Sequence, residues 1–267
     1  GSSRSAARTC DVTDQASFPV LPGCEARSHI GATSVGVLVL HGFTGTPASM
    51  GGVSDVMVAA DFHLELPRLP GHGTTIDDML TTDWADWTAE VAQAYTSLAQ
   101  RVDRVVVVGQ SMGATLALWT ALENPDVAGL VCINPLTRTR DADMLTMLDD
   151  FIEDGIVVVP GEGSDIADPD ACDVSYDGTP LQPLRSLMHD GVAKITDRFG
   201  ELTMPLRLFT SRQDHVVETA DSDHLASTYG GLVEHSWLER SFHVATRDYD
   251  RDFVTAESVA FVARVAG

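Results

Sequence analysis

Residues 109–113 read Gly109-Gln110-Ser111-Met112-Gly113, a match to G-x-S-x-G. Four consecutive valines (105–108) precede the match and a helix-forming run follows it. A serine on a sharp turn between a buried strand and a helix has its hydroxyl lifted clear of the sheet, and the flanking glycines remove the side chains that would crowd such a turn. A serine hydroxyl is a weak nucleophile at its own pKa and needs a base within hydrogen-bond reach. The base in turn needs an acid that fixes its tautomer and stabilises the imidazolium.

His243, in "LERSFHVATRDYD", follows the last strand-like segment and is the expected base. Asp214, in "PLRLFTSRQDHVV", follows a strand and precedes His243, and is the expected acid; Asp141, in the loop after an earlier strand, is its rival. His215 reads as a packing or supporting residue. His235 and His63 sit inside strand patterns and read as strand residues, while His29, His189 and His224 have no placing argument. An acyl-transfer intermediate also carries an oxyanion that two backbone N–H groups must meet. Met112, at the first turn of a helix, supplies one expected donor, and Phe43, in "HGFTGTP" after a strand, the other. That loop lacks the spacing and lysine of G-x-x-x-x-G-K-[ST], which disfavours a phosphate loop.

These residues need a scaffold that brings loops to one edge. The chain supplies alternating apolar runs and helical patterns: strands at 34–41, 62–70, 103–109, 127–134, 205–210 and 232–239, with helices at 47–60, 83–102, 112–124 and 218–229 and at the end of the chain. Continuous apolar runs are the mark of parallel strands covered on both faces. The expected fold is a mostly parallel, doubly wound α/β sheet, whose sites form at the carboxyl ends of strands. The rhythm breaks between 135 and 200, where the chain is acidic, Gly- and Pro-punctuated and without a clear strand ladder. The expected organisation is an irregular lead-in (1–33), a core (34–134 and 201–267) and a cap insertion (135–200).

The segments "VLVLHGFTGTPASM", "LPRLPGHGTT", "DWADW", "VVGQSMGATLALW", "CINP", "GSDI", "SRQDHVV" and "SFHVATRDYD" resemble the bacterial monoacylglycerol lipases and close carboxylesterases of the α/β-hydrolase fold, over about residues 34–266. The resemblance implies a serine esterase with Ser111, Asp214 and His243 as triad, Phe43 and Met112 as oxyanion donors, and a cap that forms an acyl tunnel and a small polar pocket for glycerol. Two positions depart from that pattern. Asp173 falls where the cap carries a glutamate that helps hold glycerol, and Glu162 falls where an apolar residue lines the same pocket. Both bear on glycerol selectivity rather than on ester hydrolysis. Met144, Leu145, Met147, Leu148, Phe151 and Ile152 lie at helical spacing in the cap, as packing against the core or as a face that lines the acyl site and meets lipid transiently.

Composition narrows the alternatives. A net charge of −22, from 39 acidic and 17 basic residues, argues against nucleic acid, since phosphate binding needs a basic face, and against docking on anionic lipid. No apolar run approaches the ~20 residues that cross a bilayer, and no targeting segment is apparent at the N-terminus. The four cysteines form no C-x-x-C pair, so no zinc site is expected, and the chemistry calls for no cofactor or metal. Cys132 reads as an inert core thiol. The expected location is cytoplasmic, unless Cys10 and Cys24 form a disulfide, which would indicate an oxidising compartment. The expected activity is cleavage of a monoacylglycerol or similar ester through an acyl-enzyme. The alternatives are a broad carboxylesterase, another acyl-transfer reaction of the same fold, and an inactive relative that binds a ligand through the cap. A haloalkane dehalogenase is disfavoured, because that chemistry needs aspartate at the position of Ser111.

Overall fold

The computed structural model describes residues 18–161 and 163–266. In chain order the elements are β1 Arg27–His29, β2 Val35–Leu40, α1 Gly51–Ala59, β3 His63–Leu66, α2 Ile76–Met79, α3 Trp84–Ala99, β4 Arg104–Gln110, α4 Met112–Glu123 and β5 Gly129–Ile133. Then come α5 Ala142–Glu153, β6 Val158–Pro160, β7 Gly178–Pro180, α6 Leu181–Ser186 and α7 Ala193–Ile195, with a π turn (Leu187–Val192) joining the last two. The chain ends with β8 Leu206–Ser211, α8 Thr219–Thr228, β9 Val233–Leu238 and α9 Arg251–Ala266.

The main sheet runs β1-β3-β2-β4-β5-β8-β9. Every neighbouring pair is parallel except β1 on β3. Alternate side chains feed two apolar layers. Leu38, Leu40, Val105, Val107, Leu130 and Cys132 pack with Trp87, Val91 and Leu98 of α3 and Leu116 of α4. Val35, Val37, Val39, Val106, Val108 and Ile133 pack with Val53 and Met57 of α1 and Phe261 and Val262 of α9. Burial on both faces explains why these strands read as unbroken apolar runs. Helix α4 is buried continuously from Met112 to Leu118, so it has no solvent stripe in its first two turns.

Strand order reverses between β2 and β4: the chain leaves β2 toward β3 on one side and β4 toward β5 on the other. Leu40 pairs with Gly109 at the carboxyl ends of these strands, so the crevice such a reversal creates opens at Ser111. The turn is tight. Ser111 has φ 55° and ψ −122°, a conformation that costs an L-residue on the order of 1–3 kcal/mol. A Cβ on Gly113 would lie 2.2 Å from the Leu40 carbonyl oxygen, and one on Gly109 would lie 2.1 Å from the Gly113 oxygen. Only glycine lets the first turn of α4 press against β2.

Two stretches differ from the sequence expectation. The lead-in is not wholly irregular, because Arg27–His29 pairs antiparallel with β3 and Ser28 Oγ donates to Glu65. The acidic stretch between β5 and β8 is not free of strand: β6 and β7 form a short antiparallel ladder, Val158 opposite Pro180. Neither has enough length or apolar alternation to stand out.

Gly113→Ala forces backbone to move at a packed contact. Overpacking of this kind costs about 1–3 kcal/mol, and the upper part of that range is expected. Gly51 opens α1, and a methyl group there would meet nothing within 4 Å, so Gly51→Ala is expected to be neutral or to stabilise by up to about 1 kcal/mol. Urea denaturation of the two variants beside the parent checks both values.

Candidate active site

Ser111 sits at the end of β4, where its own N–H donates to the Ile133 carbonyl at 2.9 Å and continues the β4–β5 ladder. Its carbonyl accepts from Ala114 and Thr115 of α4. The Met112 N–H stands in the first turn of that helix, where backbone donors have no intrahelical partner. The loop after β2 closes over the serine: a Cβ on Gly42 would be 3.3 Å from Ser111 Cβ.

The Gly42 carbonyl accepts from the Gly45 N–H at 3.3 Å and from the His41 ring Nδ1 at 3.0 Å. The trans peptide places the Phe43 N–H on the opposite side of that unit. His41 also accepts the Leu69 N–H at Nε2, 3.2 Å. The two bonds together define its tautomer: Nδ1 carries the proton and Nε2 does not. Burial, with His72 alongside, holds the His41 pKa well below its ordinary value, so the ring stays in the form that these bonds require. His41 directly follows β2 at this edge. The pattern "HG" after a strand was the available signal.

His72 packs edge-on to His41 (ring centroids 5.0 Å apart) and to Trp87 (5.7 Å). Its Nδ1 donates to the Pro70 carbonyl at 2.9 Å, while Nε2 is buried without a partner. Burial pushes its pKa down to about 4.

His243 lies in the loop between β9 and α9. Its Nδ1 meets Asp214 Oδ2 at 2.7 Å, so Nδ1 carries the proton and Nε2 remains as the basic nitrogen. Asp214 follows β8. Its Oδ1 accepts from the Val216 and Val217 N–H groups, both at 2.8 Å, which fixes the carboxylate face offered to the ring. Asp141, the rival acid, instead caps α5 by accepting from Met144 N–H at 2.8 Å. His215 packs edge-to-face against Phe242. His63 is buried in β3, His235 bonds Thr210 within the β8–β9 pair, and Cys132 is fully buried with its thiol pKa pushed up by burial. Cys10 and Glu162 lie outside the described residues.

Ser111, His243, Gly42 and Phe43 line one cavity of about 220 Å³, together with Gln110, Asp173 and Tyr176. Asp173 accepts from Ser49 Oγ at 2.8 and 2.9 Å, and burial raises its pKa. Tyr176 ties the segment between β5 and β8 to this edge: its hydroxyl donates to Gly71 O at 2.7 Å and its N–H to Thr44 O at 3.2 Å. Ser49 and Tyr176 were not singled out from sequence, since their partners lie far along the chain. A second cavity, about 280 Å³ and apolar, is lined by Met144, Leu145, Met147, Leu148 and Phe151 of α5 with Leu181, Leu184 and Met188. Ile152 is not part of that lining. Among the described residues no cluster of His, Cys, Asp or Glu has the arrangement of a metal site, and no helix is long and apolar enough to cross a membrane.

A histidine whose folded pKa lies below its unfolded value destabilises as it is protonated. Stability is unaffected above the unfolded pKa near 6.5 and is lost as pH falls toward 4. For His72 this amounts to about 2 kcal/mol at pH 5. In His72→Phe the Pro70 carbonyl keeps the Trp87 Nε1–H bond of 3.1 Å. The variant is therefore expected to lose about 2 kcal/mol less than the parent between pH 7.5 and pH 5, measured by urea unfolding at both pH values.

Known proteins share this arrangement of elements. The chain is 35% identical to the thermostable monoacylglycerol lipase of Bacillus sp. (strain H-257), over 94% of this chain and 98% of the relative. It is 23% identical to a carboxylesterase of Bacillus subtilis (strain 168), over 86% and 92%. Among solved structures it superimposes with a TM-score of 0.86 at 36% identity on a structure from work on LipS and LipT, two metagenome-derived lipolytic enzymes, covering 92% of this chain and all of the other. The monoacylglycerol lipase of Paleococcus ferrophilus, with a TM-score of 0.70 and 13% identity, shares the fold, covering 89% and 98%. The pattern of the alpha/beta hydrolase family spans residues 37–257, and the chain belongs to that family.

Proposed function

We propose that this chain is a serine hydrolase that cleaves carboxylic esters through an acyl-enzyme, with monoacylglycerols as its substrates and glycerol and fatty acid as its products. The observation that carries the reading is the 2.7 Å contact of His243 Nδ1 with Asp214 beside a strained serine in the same cavity. In this reading His243 Nε2 takes the Ser111 hydroxyl proton as Oγ adds to the ester carbonyl. The Phe43 and Met112 N–H groups hold the resulting oxyanion. His243 then gives the proton to the departing glycerol oxygen as the acyl C–O bond breaks. A water molecule, deprotonated by the same nitrogen, adds to the acyl-enzyme, and Ser111 leaves with that proton.

Residues 34–134 and 201–267 form the proposed core and 135–200 the proposed cap. Asp173 is proposed to hold a glycerol hydroxyl, which accords with its place in the cavity wall and with Ser49 fixing the carboxyl. The α5 cavity fits an acyl chain, and Met144 and Met147 are about half exposed (48% and 49%) at its rim, which supports transient contact with lipid there. A cytoplasmic location is proposed; a Cys10–Cys24 bridge, found by mass spectrometry of the unreduced chain, would point to an oxidising compartment instead. A broad carboxylesterase is the second reading, favoured by Asp173 standing where the related lipases' pattern has the longer glutamate.

The deciding measurement is kcat/KM for a 1-monoacylglycerol beside the ethyl ester of the same acid, with Ser111→Ala as the blank. A tenfold or greater preference for the glycerol ester, about 1.4 kcal/mol of transition-state discrimination, is expected. Equal rates would mean a general carboxylesterase, and activity surviving in Ser111→Ala would overturn the mechanism. Asp214→Asn is expected to lower kcat by about 10⁴-fold, because the amide favours the wrong ring tautomer.

A further inference from the structure

The loop that carries His243 is held by side-chain carboxylates. Arg240 and Ser241 donate their N–H groups to Asp250 Oδ2 at 3.1 and 2.9 Å. Phe242 donates to Asp248 Oδ2 at 2.8 Å. His243 donates to Asp165 Oδ2 at 3.0 Å, and Val244 donates to the Asp165 carbonyl at 3.0 Å. Five consecutive amides are thus fixed outside any regular element, four of them by bonds to carboxylates, which are the stronger kind.

Asp248 and Asp250 belong to the same stretch of chain as the loop. Asp165 does not, since it comes from the segment between β6 and β7. Its carboxylate also reaches the acid's loop: Oδ2 accepts from the His215 N–H at 3.1 Å and Oδ1 from the His215 ring Nδ1 at 2.8 Å. His215 is the residue next to Asp214. One side chain therefore links the backbone of the base to the backbone beside the acid, and the side chains of base and acid meet at 2.7 Å. The tie is returned by Asp248, fully buried, whose two oxygens accept from Ala167 and Asp168 at 2.8 and 3.0 Å.

We infer that Asp165 is a positioning residue for the proposed reaction: it sets the distance between the acid loop and the base loop, so that the segment over the site is part of what assembles the Asp214–His243 pair. The inference rests on the reading of that pair as catalytic. It acts through acceptor geometry. Both backbone donors use Oδ2, so an asparagine with its carbonyl oxygen there keeps them and turns its NH₂ toward His215, whose exposed ring can supply an unprotonated Nδ1.

The test compares Asp165→Ala, Asp165→Asn and the parent as full-length enzymes. Competent sites are counted by stoichiometric labelling of Ser111 with a phosphonate, and kcat is expressed per labelled site. Asp165→Ala is expected to lose roughly 10- to 100-fold in kcat at unchanged KM, the scale of an ångström-size misplacement. It should also lose the low-field proton resonance of His243 Nδ1–H. Asp165→Asn should stay within about threefold of the parent and keep the resonance. Asp168→Asn, a change in the same segment, controls for general loosening and should leave kcat unchanged. The inference is overturned if Asp165→Ala keeps the parent's kcat per site, if its effect falls on KM alone, or if Asn and Ala lose equally. If the parent itself is not labelled at Ser111, the underlying catalytic reading fails instead.

Discussion

The first turn of α4 lies directly on the end of β2, with glycine at 113 because the Leu40 carbonyl leaves no room for a methyl group. Much of the site follows from that contact. It forces the chain to turn within one residue, which places Ser111 in left-handed backbone and lifts its hydroxyl to the crevice where strand order reverses. It also puts the loop after β2 against the serine, so the two elements proposed to supply the oxyanion donors, Phe43 and Met112, are themselves in van der Waals contact. The strain at one residue is held by the packing of two buried strands and a buried helix.

The remaining parts are added by loops, and each is fixed by a different device. The loop after β2 is held from below by a neutral histidine that donates and accepts at once. Asp214, the proposed acid, is fixed by two amides of its own turn. The loop of His243, the proposed base, is fixed by aspartates. This division accords with the chemistry. A donor loop must not move when charge develops, whereas an imidazole must present one nitrogen to its acid and the other to the serine, and so needs its backbone and its ring set separately.

Much of this was legible in the sequence for a definite reason. Parallel strands buried on both faces leave continuous apolar runs, and β2, β4, β5 and β8 begin and end within about two residues of those runs. The G-x-S-x-G turn could be placed because a strand and a helix flank it, and Asp214 and His243 because each follows a strand at the same edge. What could not be read depends on distant partners. β1 is three polar residues held by strand pairing and by side-chain bonds to distant residues, and β6 and β7 are three residues each. Asp165, one aspartate among many in an acidic stretch, acquires meaning only when the folded chain brings residues 215 and 243 to it. Ser49 becomes notable only through Asp173, 124 positions later.

The continuous burial of α4 has a dynamic consequence. An element packed on all sides through its first two turns opens only when the whole molecule does. Loops joined through side chains open by local excursions of much lower free energy. Ser111 therefore stands at the head of a helix buried through its first two turns, whereas Asp214 and His243, the proposed acid and base, stand on loops. On heating, loss of the proposed activity is expected to start from the His243 side, while the serine still stands on an intact sheet and before the whole molecule unfolds.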